Sequence, residues 1–444
     1  MSYNFIPTDR EQDYLLPPSL KDWLPENHLA WFILDVVDQM DLSELYENYR
    51  EDGVGNRSFH PEIMLGLLLY SYSTGEFSSR KIEKKCQTDI AYRIITANQN
   101  PDHCTICRFR KNNEAKIKGI FLEVLKLCSE AGLVKLGNVS LDGTKIKANA
   151  SLASNRKLKH LEEEIEKLLE AAETQDREES QKDDQAALDL PKAMRNRKDR
   201  IERLKKCKAR LEKEKTEVEE NQRQKIEKRA EKEKQCGKKP RGRKPKPPEE
   251  ASKKDAKANA TDPDSRIMKT RQGYVQGLNG QAIATEEQII IAEALTQEEN
   301  DKQQIHPMIE EMEANRKALK IEEEIEVLLA DAGYGSEANF NRKPAANIEM
   351  LVAIQKEHKQ KQASSKSISE DLPATRQMEE KLQSARGQQL YKIRGKTIEP
   401  IFGQIKEALG FRRFMRRGLK ACQSEWTMIC AVHNLLKLYR MQKA

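Results

Sequence analysis

Aromatic side chains are scarce in this chain: 3 Trp, 11 Tyr and 10 Phe among 444 residues. Hydrophobic residues of every kind make up 37%, barely more than the 34% that are charged. That is too little apolar material for one compact globule of this length, so part of the chain is expected as extended helix or unfolded segment. Long apolar runs are missing too. The longest, Ile63 to Leu69, is far too short to cross a bilayer. Met1-Ser-Tyr-Asn-Phe-Ile-Pro-Thr-Asp has neither the basic start nor the apolar centre of a signal peptide. The expectation is a cytoplasmic protein with no membrane partner. The eight cysteines (86, 104, 107, 128, 207, 236, 422 and 430) are scattered, as reduced thiols would be. Cys104-Thr-Ile-Cys107 beside His103 has metal-ligand spacing, but no second pair lies nearby. Two helical cysteines on adjacent faces are the expected reading there, and zinc is the other.

What is present is charge, in blocks. The formal net charge is only +7, yet basic residues gather in short runs, which matters more than the total for a polyanionic partner. After an irregular arm from Pro7 to Pro25, a helix is predicted from His28, and residues 59–135 read as a set of short helices. Pro61 starts one and Thr74-Gly75 stops it. Ser78 or Ser79 is placed to cap the next, and Asp102 to Thr105 to cap another that carries Arg108, Arg110 and Lys111. Such helices suit a helix-turn-helix DNA-binding fold; an ordinary bundle with a solvated basic face suits them equally. Helix 114–131 then leads to Gly132 and a strand. Leu161, Ile165, Leu168 and Leu169, and later Ile201, Leu204, Leu211 and Val218, mark two helices with a thin apolar seam, a hairpin turning between Gln175 and Asp189. From Gly237 to Pro248, prolines and like charges prevent regular structure. Arg241-Gly-Arg243 between prolines resembles an AT-hook, a peptide that lies in the narrow minor groove of A·T-rich DNA. A solvated linker is the alternative, and phosphate attraction requires neither.

Beyond Arg271 the pattern turns to β. Residues 273–285 and 288–295 read as a strand pair, 301–320 as a helix, 326–331 and 348–354 as strands, and 400–409 and 425–439 as the last helices. Three acids stand out. Asp142 interrupts the β-rich run from Asn138 to Ser151. A carboxylate on a buried strand is costly unless paired or metal-bound; on the strand alone, a solvent-facing edge explains it as well. Asp331 ends a later strand, and Glu399 precedes Pro400, which disfavours helical geometry before it and so predicts that a helix begins there. Three hard oxygen ligands on rigid elements suit Mg²⁺ or Mn²⁺. Two such ions, about 3.5–4 Å apart, activate a nucleophile and stabilise the leaving oxygen of a phosphodiester. Lys406, about two turns beyond Glu399, is predicted on the same helix face. Arg394 would stand before the helix as a phosphate contact, and Arg412, Arg413, Arg416, Arg417 and Lys420 add a basic lip.

Tyr391, Arg394, Glu399 and Lys406 resemble the Y-R-E-K signature of bacterial insertion-sequence DDE transposases, with four residues instead of three between arginine and glutamate. Ser140-Leu-Asp-Gly-Thr-Lys, Thr261-Asp-Pro-Asp-Ser-Arg, Leu329-Ala-Asp-Ala-Gly-Tyr-Gly-Ser and Ala431-Val-His-Asn-Leu-Leu-Lys-Leu fit the same family, and the branch called IS-eleven-eighty-two is the nearest likeness. The resemblance implies an α/β protein with an RNase H-like catalytic domain over 136–154 and 256–444. An N-terminal arm (1–45) and a helical DNA-binding domain (46–135) would precede it, with a helical hairpin and basic Pro-rich linker (155–255) inserted. It implies that Asp142, Asp331 and Glu399 are the metal-binding catalytic acids, with two Mg²⁺ or Mn²⁺ ions as cofactor. The residues expected on DNA are Tyr391, Arg394, Lys406, Arg412 and Arg413, together with Arg108, Arg110, Arg241 and Arg243. The implied reaction is hydrolysis at the element's ends, followed by attack of the freed 3′-hydroxyl on target DNA. Its partners would be double-stranded DNA and at least one further copy of the chain, since two ends must be held in synapsis, and its place the nucleoid. A nuclease that cuts without joining and a DNA-binding protein without catalysis are the alternatives.

Overall fold

The computed structural model describes residues 19–47, 49, 57–179, 192–236, 245–251, 256–270, 272–342, 348–354 and 372–443. Arg241 and Arg243 lie outside the described residues, as do residues 180–189 of the turn expected from Gln175 to Asp189; residues 175–179 are still helical. Helices come first: α1 Leu29–Gln39, α2 Ser43–Tyr46, α3 Pro61–Ser73, α4 Ser79–Thr88, α5 Ile90–Ile95, α6 His103–Asn112 and α7 Ile117–Glu130. Pro61 sits in the first turn of α3, where its missing N–H has no intrahelical partner to lose. Asp102 caps α6, its Oδ1 accepting from the Thr105 N–H at 2.6 Å. Ser78 holds the N-cap position of α4 but its side chain makes no cap bond, against expectation. α7 buries Ile117, Ile120, Phe121, Val124, Leu125 and Cys128, and the core of these helices is continuous with that of the sheet.

The rest of the chain runs β1 Asn138–Lys147, β2 Asn155–Lys157, α8 Leu158–Glu179, α9 Lys192–Cys236, α10 Pro248–Ala251, β3 Lys257–Asn259, β4 Arg266–Thr270, β5 Gly273–Thr285 and β6 Ile290–Thr296. It continues with α11 Ile305–Ala318, β7 Val327–Ala330, α12 Glu337–Asn341, β8 Glu349–Val352, α13 Pro373–Gln383, α14 Ala385–Gly403 and α15 Leu419–Gln442. The main sheet is mixed, in the order β4-β5-β1-β7-β8, with β6 beside the second half of β5. β5 is antiparallel to β1, while β7 runs parallel to β1 and β8 parallel to β7. β1 is therefore interior, and Val139, Leu141 and Ile146 are fully buried; the edge-strand reading of Asp142 does not hold. β structure resumes ahead of the expected Arg271, in β3 and β4, strands too short to show a clear alternation.

α8 and α9 pair as an arm between β1 and β4, closed by a small core of its own from Leu161, Leu204, Cys207, Leu211 and Ala258. Arg210 fastens the arm's base, donating to the carbonyls of Pro263 (2.7 Å) and Lys257 (2.9 Å). Val218 is exposed, so the seam ends before it. Asp264 accepts from the Leu419 N–H at 3.0 Å, and Asp262 from the Gly418 N–H at 3.2 Å. The Thr261-Asp-Pro-Asp-Ser turn thus receives the free N–H groups where α15 begins. α15 then buries Trp426, Ile429, Cys430 and Leu435 between α7 and β6.

Candidate active site

Parallel pairing of β1 with β7 ends at Leu141 opposite Ala330. The next residue in each is an acid: Asp142, midway along β1, and Asp331, just past the end of β7. Adjacent strands lie about 4.8 Å apart, so register alone sets these carboxylates side by side where β7 stops and β1 runs on. Asp142 Oδ1 accepts from the N–H of its neighbour Gly143 at 2.7 Å, and the turn after β7 closes on its acid, Asp331 Oδ1 accepting from the Gly333 N–H at 2.8 Å. Burial pushes Asp142 up to about 7; Arg394 opposes the shift, while Asp331 and Asp301 add to it.

Glu399 arrives from α14, and here the structure corrects the sequence reading. The helix does not begin at Glu399; it runs from Ala385 to Gly403 with Pro400 inside it. Proline removes the bond that residue 400 would give to the carbonyl of Lys396. That carbonyl is taken instead by Gln288 Nε2 at 2.9 Å, a partner from the β5–β6 turn. Thr397 Oγ1 lies 2.6 Å from Ser140 Oγ and pins the helix over β1. Arg394 consequently lies within the helix, not before it. Its side chain is 7% exposed, with Nη2 2.9 Å from Asp142 Oδ2 and Nη1 3.1 Å from Glu399 Oε1. A buried fork between two carboxylates is not turned toward phosphate. Among the described residues, no group of three or more acid, histidine or cysteine side chains is drawn closely enough together to hold a metal ion; the cation between Asp142 and Glu399 is Arg394.

Lys406 lies beyond Glu399 in a π-helical turn, Gln404–Ala408, which shifts it off the phase of a regular helix. Its Nζ donates to the carbonyl of Lys145 at 3.0 Å, three positions along β1 from Asp142, and burial lowers its pKa. Tyr391 is half-buried on α14, one turn before Arg394. Arg412 and Arg413 are exposed, Arg412 held by Glu407 and by the Lys406 carbonyl. Arg108 is exposed on α6. Arg110 is not available to DNA: it is buried, donates to the Phe77 carbonyl at 3.1 Å and lies over the Tyr72 ring. Helix phase turns it inward, two residues from an arginine that faces out. Cys104 and Cys107 are free thiols, with Cys107 against Ser79.

Sequence reasoning missed one acid. Asp301 precedes α11 and reads locally as a helix start, yet its Oδ1 accepts from Asn279 Nδ2 (2.7 Å) and Gln281 Nε2 (2.8 Å) on β5. Gln281 stands opposite Gly143 in the β1–β5 register. Only the long-range pairing reveals this.

The chain matches the family model "Transposase domain (DUF772)" over residues 18–112 and the model "Transposase DDE domain" over residues 243–435, well over half its length between them. No curated protein and no solved structure matches it. The chain belongs to the insertion-sequence DDE transposases. It is an enzyme that cleaves DNA and transfers the cut strand, and DNA is its substrate; the family works with divalent metal ions. Asp331 and Glu399 fall inside the second match, whereas Asp142 lies ahead of it, on the far side of the inserted arm. Among the described residues, no helix is long and apolar enough to cross a membrane.

Proposed function

We propose that Asp142, Asp331 and Glu399 are the catalytic carboxylates of this transposase, carried by an RNase H-like sheet. The observation behind the reading is the register that sets Asp142 beside Asp331, with Arg394 joining Asp142 to Glu399. The interior first strand, flanked antiparallel on one side and parallel on the other, supports the RNase H-like assignment. The donor chemistry suits a hard divalent cation, which would take the place that Arg394 holds between Asp142 and Glu399. The three acids offer carboxylate oxygens alone, and Asp142 is left short of positive charge even with Arg394 beside it. Asp142, Asp331 and Glu399 would hold two Mg²⁺ or Mn²⁺ ions, which when bound supply Lewis-acid activation of the attacking oxygen and charge neutralisation at the leaving one.

The chain's own part is positioning. β1 and β7 fix two carboxylates on rigid strands and α14 brings the third over them. Lys406 places an ammonium beside β1 on the route away from Asp142, and Arg412 and Arg413 continue a basic path for DNA phosphate. Residues 46–135 would form the DNA-binding domain, with Arg108 as a contact. Residues 136–154 and 256–444 would form the catalytic domain, 155–255 an inserted arm whose Arg241 and Arg243 enter the minor groove, and 1–45 an arm. The acting species would be at least a dimer, acting at the nucleoid. The test is cleavage of labelled DNA carrying the element's ends. Asp142→Asn, Asp331→Asn and Glu399→Gln should each abolish Mg²⁺-dependent cutting while DNA binding persists; a triple variant that still cuts rejects the assignment.

A further inference from the structure

Asp301 lies between the stretch of β1 that carries Asp142 and the turn that carries Asp331. A Cβ at Gly143 would collide with Gln281 Nε2 and stand 2.7 Å from Asp301 Oδ1; one at Gly333 would stand 2.9 Å from Asp331 Oδ1 and 3.2 Å from Asp301 Oδ2. The acid is thus packed against the β1 strand and the Asp331 turn at once, in space that only glycine leaves open. Its Oδ1 takes the amide nitrogens of both Asn279 and Gln281. An ionised carboxylate only accepts hydrogen bonds, so both amides must aim nitrogen at Asp301 and oxygen away from it. For Gln281 the oxygen then receives the Tyr334 hydroxyl. Tyr334 is fully buried and closes the Asp331 turn, its N–H donating to the Asp331 carbonyl at 3.2 Å. For Asn279, 1% exposed, the oxygen is left with no hydrogen-bond partner among the described residues and faces Gly143.

We propose that Asp301 is a positioning residue of the cutting site: by fixing the amides of Asn279 and Gln281, and through Gln281 the Tyr334 hydroxyl, it locks the Asp331 turn against the Asp142 strand. The proposal rests on the reading that Asp142 and Asp331 hold the metal. Without the carboxylate the Gln281 amide is free to turn over, Tyr334 loses its fixed acceptor, and the spacing of the two acids is no longer imposed. Residues that orient metal ligands in this way typically change metal affinity about 10- to 100-fold when removed.

The experiment is Mn²⁺ titration of the full-length protein without DNA, by calorimetry and by electron paramagnetic resonance, for wild type, Asp301→Ala, Asp301→Asn and Asp142→Asn. Melting temperature and the kcat–KM split for end cleavage are measured alongside. Asp301→Ala should weaken Mn²⁺ binding at least about tenfold and lower kcat while leaving KM for DNA unchanged. Asp301→Asn keeps an oxygen for the two amides and should stay near wild type. A merely structural residue would lower melting in both variants and leave the Mn²⁺ affinity of folded protein intact, which overturns the proposal. Equal loss in Asp301→Ala and Asp301→Asn would make Asp301 a ligand, and overturns it too. If Asp142→Asn also binds Mn²⁺ as wild type does, the acids are not the metal site, and the reading beneath the proposal fails with it.

Discussion

Arg394 joins Asp142 to Glu399, with one guanidinium nitrogen 2.9 Å from the first carboxylate and the other 3.1 Å from the second. Asp142 is 18% exposed and Glu399 56% exposed, so the buried half of the fork carries most of its energy. In the metal-free protein, Arg394→Gln leaves Asp142 facing Asp331 without its ion-pair partner. The expected loss is about 2–3 kcal/mol, below the 3–5 kcal/mol typical of a fully buried pair because Glu399 is solvated. A cation that binds the same carboxylates offsets that loss. Thermal melting should therefore show a larger Mn²⁺-induced rise for Arg394→Gln than for wild type. An equal rise would mean that arginine and metal do not share the site.

Gln288 supplies the bond that Pro400 cannot. Gln288→Ala should cost about 1 kcal/mol or more by stranding the Lys396 carbonyl, along with its contacts to Gln404 and Lys437. In a Pro400→Ala background the restored N–H serves that carbonyl, so the same change should cost about 0.5–1.5 kcal/mol less. A double-mutant cycle by urea unfolding measures the coupling; additive effects would refute it.

Arg108 and Arg110 separate binding from stability. Arg108→Ala should weaken DNA binding and reduce the slope of log K against log salt by about one. Arg110→Ala should leave that slope unchanged and lower the melting temperature instead. Arg110 spans the Phe77 carbonyl and the Tyr72 ring, and it is the main charge opposing the upward shift that burial gives Glu425. Fluorescence anisotropy over a salt series, with melting on the same samples, decides it.

Glu293 makes stability depend on pH. It is buried, and burial pushes its pKa up to about 7, with Lys118 and Thr427 opposing. The folded value lies above the unfolded one, so this contribution to stability is fully present below about pH 4.5 and is lost as pH rises through about 7. Glu293→Gln removes the titration, while Lys118 keeps Glu311 as a partner. The variant should fall less in stability than wild type between pH 5 and pH 8, with each unit of pKa shift worth about 1.4 kcal/mol at most. Rearrangement at Gln423 adds only a pH-independent offset. Parallel pH profiles for the two proteins would contradict this.

Much of the site was legible because its parts announce themselves locally. The β-rich run around Asp142 and the apolar strand that stops at Asp331 carry their own pattern, and the helical hairpin declares itself by periodicity. What local pattern misled was the start of α14. Proline before an apolar stretch reads as a first turn, but the carbonyl it strands is satisfied by Gln288, far away in sequence. Arg110 and Arg108 look alike in the chain, and only packing against Tyr72 tells them apart. Asp301 was invisible for the same reason: its meaning lies in Asn279, Gln281 and Tyr334, which sheet register brings to it.

If Asp142, Asp331 and Glu399 hold divalent metal together, as proposed, anomalous diffraction from crystals soaked in Mn²⁺ will show it. An anomalous peak is expected at coordination distance, about 2.0–2.3 Å, from the Asp142 carboxylate and from at least one of the other two, with the Arg394 fork opened. A Mn²⁺ peak elsewhere, with Arg394 still bridging Asp142 and Glu399, would contradict the proposal.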